Sequence, residues 1–184
     1  MSHSLLVSAL ESAAQDVRAS GNPMLFLNRL ESTHPNWHNR TYQARGMGFL
    51  SFHWQVVQSF KDARCPSLWS NGVKPFTTSD FKKFGWPYSV TARARAGDFQ
   101  SLADFSIATE NWHNDAHMAV GRAFGIENEM MDPAANIYYR EFWRLHDFIN
   151  SKLRVELRRY DSAGSEAQKI DRLETAHHST LFKI

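Results

Sequence analysis

The chain has 184 residues, 42% hydrophobic and 22% charged, with 21 Lys and Arg against 19 Asp and Glu. This length predicts one domain over residues 1–184. The balanced charge, without a Lys/Arg cluster, argues against disorder and against a nucleic-acid partner despite a pI of 8.8. A lone cysteine, Cys65, excludes an intramolecular disulfide framework, and no apolar run is long enough to span a membrane. The segment Met1–Ser20 has no basic start and carries Glu11 and Asp16, so no cleaved secretory signal is expected and the chain reads as cytoplasmic.

Leu5, Leu6, Leu10, Ala14 and Val17 recur at helical spacing, which predicts a first amphipathic helix ending before Gly21-Asn22-Pro23. After Gly46 and Gly48, a second helix places Phe49, Phe52, His53, Val56, Val57 and Phe60 on one stripe. From Cys65 to Gly97, prolines and glycines interleave with Trp69, Phe76, Phe81, Phe84, Trp86 and Tyr88, which predicts a long irregular, aromatic-rich loop. A third helix is announced by Gly97-Asp98 and carries Leu102, Phe105, Thr109, Trp112, His113, Ala116, His117, Val120 and Phe124. Beyond Met131-Asp132-Pro133, a fourth aligns Tyr139, Phe142, Trp143, His146, Ile149, Leu153 and Leu157. The polar tail has room for a short helix from Ser165 to His177. Four helices without a strand pattern predict an all-α fold with an antiparallel four-helix bundle at its core.

Histidine is the surplus residue, with nine in the chain. His34 and His38 are four apart, as are His113 and His117. Four helical residues advance about 400°, so each pair projects from one face and can grip a single ion. His53 and His146 stand on the apolar stripes of two other helices. One histidine on an apolar face is an ordinary core residue hydrogen-bonded to a carbonyl. Six such imidazoles are costly to bury without a use for their lone pairs. An all-imidazole set without thiolate suits copper, zinc, iron or nickel, and two adjacent three-histidine sites suit a dinuclear copper centre best.

These residues resemble the type 3 copper family of tyrosinases, catechol oxidases and hemocyanins. His113-Asn114-Asp115-Ala116-His117, followed by Gly121, is similar to the HNxxH that opens the family's second copper site. The helix Phe142 to Asn150 resembles the one that supplies that site's third ligand, His146. Phe49-Leu50-Ser51-Phe52-His53 is similar to the FLxWH of the first site, and His34 with His38 to the HxxxH of arthropod hemocyanins. The resemblance spans Thr33 to Asn150. It implies two copper ions held by His34, His38, His53, His113, His117 and His146, O₂ as co-substrate, and a small phenol, catechol or o-aminophenol as substrate.

Asn114 matches the family's residue that holds a catalytic water together with an upstream acid, for which Asp104 and Glu110 are the candidates. Trp112, Phe52, Phe142 and Trp143 are placed to line the pocket. Whether a copper-delivery protein or a second copy of the chain is a partner stays open at this level.

Two other readings stand beside this one. Glu31-x-x-His34, Glu110-x-x-His113 and Glu174-x-x-His177 fit the element of ferritin-like diiron proteins, with Glu11 and Glu141 as further carboxylates. A hemocyanin-like oxygen-binding protein without turnover is the third.

Overall fold

A computed structural model describes residues 3–39, 42–85, 99, 101–160 and 168. Among them there is no strand, and the expected all-α class is what the structure shows. Seven α-helices run in chain order among the described residues: α1 (His3–Ser20), α2 (Met24–His38), α3 (Tyr42–Asp62), α4 (Thr78–Lys83), α5 (Leu102–Phe124), α6 (Glu127–Met131) and α7 (Arg140–Tyr160). Short 3-10 turns lie at Cys65–Leu68 and Asn136–Tyr138.

Local chemistry sets the boundaries. Gly21, at φ 69°, stops α1 by donating its N–H to the Val17 carbonyl. The Asn22 carboxamide then accepts the Met24 N–H, where α2 begins. Pro35 sits inside α2, near enough to its end that the backbone donor it lacks removes little of the helix. Thr77 and Asp80 form a reciprocal capping box that starts α4 within the stretch expected to be irregular. Ser101 caps α5 by accepting the Asp104 N–H, and Gly125, at φ 70°, ends it.

One apolar core joins the long helices. Leu10, Ala14 and Val17 of α1, Phe26 and Leu30 of α2, and Phe49, Phe52, Val56 and Phe60 of α3 all reach it. Phe105, Ala116 and Val120 of α5 and Phe142, Leu145, Ile149 and Leu153 of α7 complete it. Each fully buried Leu or Phe contributes about 1.5–3 kcal/mol, so the four histidine-bearing helices α2, α3, α5 and α7 are held mainly by apolar packing. Phe60 stacks on Trp143 with centroids 3.7 Å apart, tying α3 to α7.

The start signal of α5 is Ser101, three residues beyond the expected Gly97-Asp98, which lies outside the described residues, as do Trp86 and Tyr88. The helix expected over 165–177 also lies outside them, apart from Gln168. Among the described residues, no helix is long and apolar enough to cross a membrane.

Candidate metal centre

Four helices bring the six predicted histidines to one place. His34 and His38 come from the last two turns of α2, His53 from the middle of α3, His113 and His117 from α5 and His146 from α7. All but the half-buried His38 are buried, with His34, His53 and His146 at 0% exposure. Two sets of ring nitrogens lie close enough to share an ion: His34, His38 and His53, and His53, His113 and His146. In the first, the Nε2 atoms of His34 and His38 are 2.9 Å apart. In the second, those of His113 and His146 are 3.0 Å apart. Two nitrogens about 2.0–2.1 Å from a tetrahedral ion stand roughly 3.3 Å apart, so both pairs need only a small opening to ligate one.

The sequence grouping placed His117 with His113 and His146. In the structure His53 joins that set instead, and His117 packs beside it with ring centroids 4.2 Å from His113 and 5.4 Å from His146. His53 therefore belongs to both sets and sits between them. Its ring stacks on His146 at 4.8 Å and meets His34 edge-on at 5.6 Å.

Backbone carbonyls fix the rings. His34 Nδ1 lies 2.8 Å from the Pro133 oxygen, His53 Nδ1 2.9 Å from that of Phe49, His117 Nδ1 2.6 Å from that of Met130, and His146 Nδ1 2.8 Å from that of Phe142. A carbonyl only accepts, so in each ring Nδ1 carries the proton and Nε2 keeps a lone pair. This is the arrangement that orients metal-ligating imidazoles. The Nε2 atoms of His53 and His117 and Nδ1 of His113 are buried without a hydrogen-bond partner among the described residues. Buried nitrogens of this kind are costly in an apolar core, and an ion would satisfy the Nε2 atoms of His53 and His117.

Electrostatics keep five of the six imidazoles neutral. Burial lowers His34 to about 3, against a raising contribution from the Pro133 carbonyl, and lowers His117 to about 4. Burial, reinforced by the neighbouring imidazoles, holds His53, His113 and His146 well below the ordinary imidazole range. Neutral imidazole is the form that ligates.

Residues between α5 and α7 supply anchors that sequence reasoning missed. Met130 and Pro133 contribute carbonyls, one to each histidine pair, and buried Asn136 donates to the Met130 carbonyl at 3.4 Å. Gly121 lets α6 fold against α5, because a Cβ there would meet the Glu127 Cα at 2.7 Å. The sequence cue was Gly121 together with the Asp132-Pro133 turn.

The remaining predicted residues divide. Asn114 is exposed and lines a small open cleft, about 70 Å³, with His38, His113, His117, Met130, Met131, Pro133 and Asn136. Glu110 is fully buried one turn before His113 on α5. Asp104 is not brought to the cluster. It sits exposed in the first turn of α5, accepting the Ser101 hydroxyl at 2.8 Å, and nine helical residues put it about 13 Å along the axis from His113.

Of the expected wall aromatics, Phe52 and Phe142 do flank the histidines, Phe142 lying 3.9 Å from His146. Trp112 points away, packing on Phe81 and Phe148, since one helical step turns it about 100° from His113. Trp143 stacks on Phe60 and donates its indole N–H to the Ile137 carbonyl. Trp37, not singled out from sequence, and Phe49, expected there only on the apolar stripe and in the motif before His53, take the vacated wall positions, at 4.9 Å from His53 and 4.7 Å from His113.

Compared with known families, curated proteins and solved structures, the chain matches none.

Proposed function

We propose that this protein is a copper-dependent oxidase or monooxygenase that uses O₂ on phenols, catechols or o-aminophenols through a pair of copper ions held by its six histidines. The observation that carries the reading is the convergence of six imidazoles from four helices, four of them with Nδ1 engaged by a backbone carbonyl. The residues fit the metal: the buried Nε2 atoms of His53 and His117 lack any other partner among the described residues, and their Nδ1 atoms are already taken by backbone carbonyls. The motifs around His53, His113 and His146 add the likeness to the type 3 copper family.

When bound, the copper pair would supply two-electron redox chemistry with O₂. The chain's own residues do the rest. Six neutral ligands bring no negative charge, so the centre favours a deprotonated phenol oxygen over a neutral one. Phe49, Phe52, Phe142 and Trp37 exclude water and keep the ligand rings from turning. Asn114, at the cleft, offers a carboxamide to the hydroxyl of an incoming phenol or to a water that takes its proton.

Of the carboxylates a diiron reading requires, Glu110 is buried one turn before His113 but joins neither ligand set, and Glu174 lies outside the described residues. No Asp or Glu joins either ligand set among the described residues. Glu31 instead accepts the Tyr138 hydroxyl at 2.8 Å, and Glu141 faces Arg140 at 3.5 Å.

Metal analysis after copper loading tests the proposal, with about two copper ions per chain expected, together with catechol oxidation in air. The His113→Ala/His146→Ala double variant should lose both the second ion and turnover; full occupancy in that variant would refute the site. Reversible O₂ binding without oxidation of any phenol would make the protein an oxygen carrier. Stoichiometric iron in the freshly purified protein would favour the diiron alternative.

A further inference from the structure

On the outer side of α7, away from the histidines, a cavity of about 310 Å³ is lined by Asn71, Gly72, Lys74, Arg140 and Arg144. That volume is at the lower end of small-molecule sites, which start near about 300 Å³. Three of its five lining residues are cationic and none is acidic.

The loop and the helix that form this cavity are fastened together. Arg144 donates Nε–H to the Lys74 carbonyl at 3.0 Å and lays its guanidinium over the Phe76 ring at 4.0 Å, while the Phe76 N–H donates to the Arg144 carbonyl at 3.1 Å. The guanidinium is therefore pinned by Nε and one face, which leaves its two terminal amino groups for an acceptor. Gly72, at φ 60°, closes a tight turn onto the Trp69 carbonyl and so sets Asn71 and Lys74 at the rim.

The charges that face the cavity do not cancel. Arg140 has Glu141 at a long 3.5 Å, and Arg144 feels both Asp80 and Glu141, so two carboxylates stand near three cations, and Asp80 is already engaged by the hydroxyl and N–H of Thr77, both at 2.7 Å. Arg140 and Arg144 repel one another, which an anion between them would relieve.

We propose that this cavity binds the phosphate group of a small phosphate monoester or of inorganic phosphate. A tetrahedral dianion has enough oxygens to engage two guanidiniums, an ammonium and the Asn71 carboxamide together, whereas a carboxylate is filled by one arginine fork.

Calorimetric titration of the full chain, metal-free and copper-loaded, tests this with inorganic phosphate, phenyl phosphate and acetate at constant ionic strength. Saturable binding of phosphate is expected in both forms, with acetate far weaker. Tighter binding of phenyl phosphate than of inorganic phosphate would assign the site to a monoester, and the reverse to the free ion. Arg140→Gln/Arg144→Gln should weaken phosphate by at least about tenfold, and Lys74→Gln, at an exposed side chain with no hydrogen bond or ion pair among the described residues, by several-fold. Unchanged affinity in Lys74→Gln and in the double variant, or acetate binding as tightly as phosphate, overturns the proposal. So does loss of phosphate binding in His113→Ala/His146→Ala, which would place the anion at the histidines. Retention there supports the cavity whatever metal the histidines hold.

Discussion

His117 donates its Nδ1–H to the Met130 carbonyl at 2.6 Å, across the tight reversal from α5 into α6. The reversal depends on Gly121, where a methyl group would strike the Glu127 backbone. Gly121→Ala should cost about 1–3 kcal/mol, as over-packing against backbone does, and should loosen the ligand ring of His117. Urea unfolding and copper retention check it; a variant as stable as the parent would show that the reversal tolerates the methyl.

His53 belongs to both ligand sets. His53→Ala is therefore expected to lower occupancy at both ions, while His38→Ala, at the half-buried edge, affects one. Copper per chain by elemental analysis separates the cases. Equal loss in the two variants would mean that each ion relies on its own three ligands.

Acid should weaken the metal-free fold. His34 stays neutral in the folded chain down to about 3 and His117 to about 4, but each takes up a proton near 6.5 once unfolded. Between these values the unfolded state binds more protons, so stability is complete above about pH 6.5 and falls as pH drops toward 4. His53, His113 and His146 act in the same direction. Urea midpoints at about pH 7.5 and about pH 5 should differ accordingly; an unchanged or higher midpoint at the lower pH would contradict the neutral cluster.

Asp104 and Asn114 should separate stability from turnover. Asp104 accepts the Ser101 hydroxyl at the positive end of α5, while the cap itself uses its backbone N–H, so Asp104→Ala should cost about 0.3–1 kcal/mol and leave the turnover of folded, copper-loaded protein unchanged. Asn114 is exposed at the cleft, so Asn114→Ala should lower kcat with little change in unfolding midpoint. A fall in kcat for Asp104→Ala alone would reverse the two roles.

Periodicity made α1, α3, α5 and α7 readable because each buries one apolar stripe, and the stripes held His53, His113 and His146. His34 and His38 were readable from spacing, but α2 was harder to see as an element, since Pro35 and a run of polar residues blur its stripe. The short α4 and α6 have too few turns for a period and owe their existence to a capping box and a glycine. That His53 lies between both sets depends on how α3 crosses α5 and α7, which spacing along one chain does not encode. The anchoring carbonyls of Met130 and Pro133 were invisible for a plainer reason: every residue has one, and only the fold says which will face an imidazole.

Anchoring by main-chain oxygen has a consequence for how the centre tolerates change. Met130 can become Leu and still present the same acceptor to His117, and any residue that keeps the turn at 133 serves His34 equally well. The imidazole orientations are thereby insulated from side-chain drift across the stretch between α5 and α7, and exposed instead to insertions and deletions there. Length in that connection, more than its composition, is what the site is sensitive to.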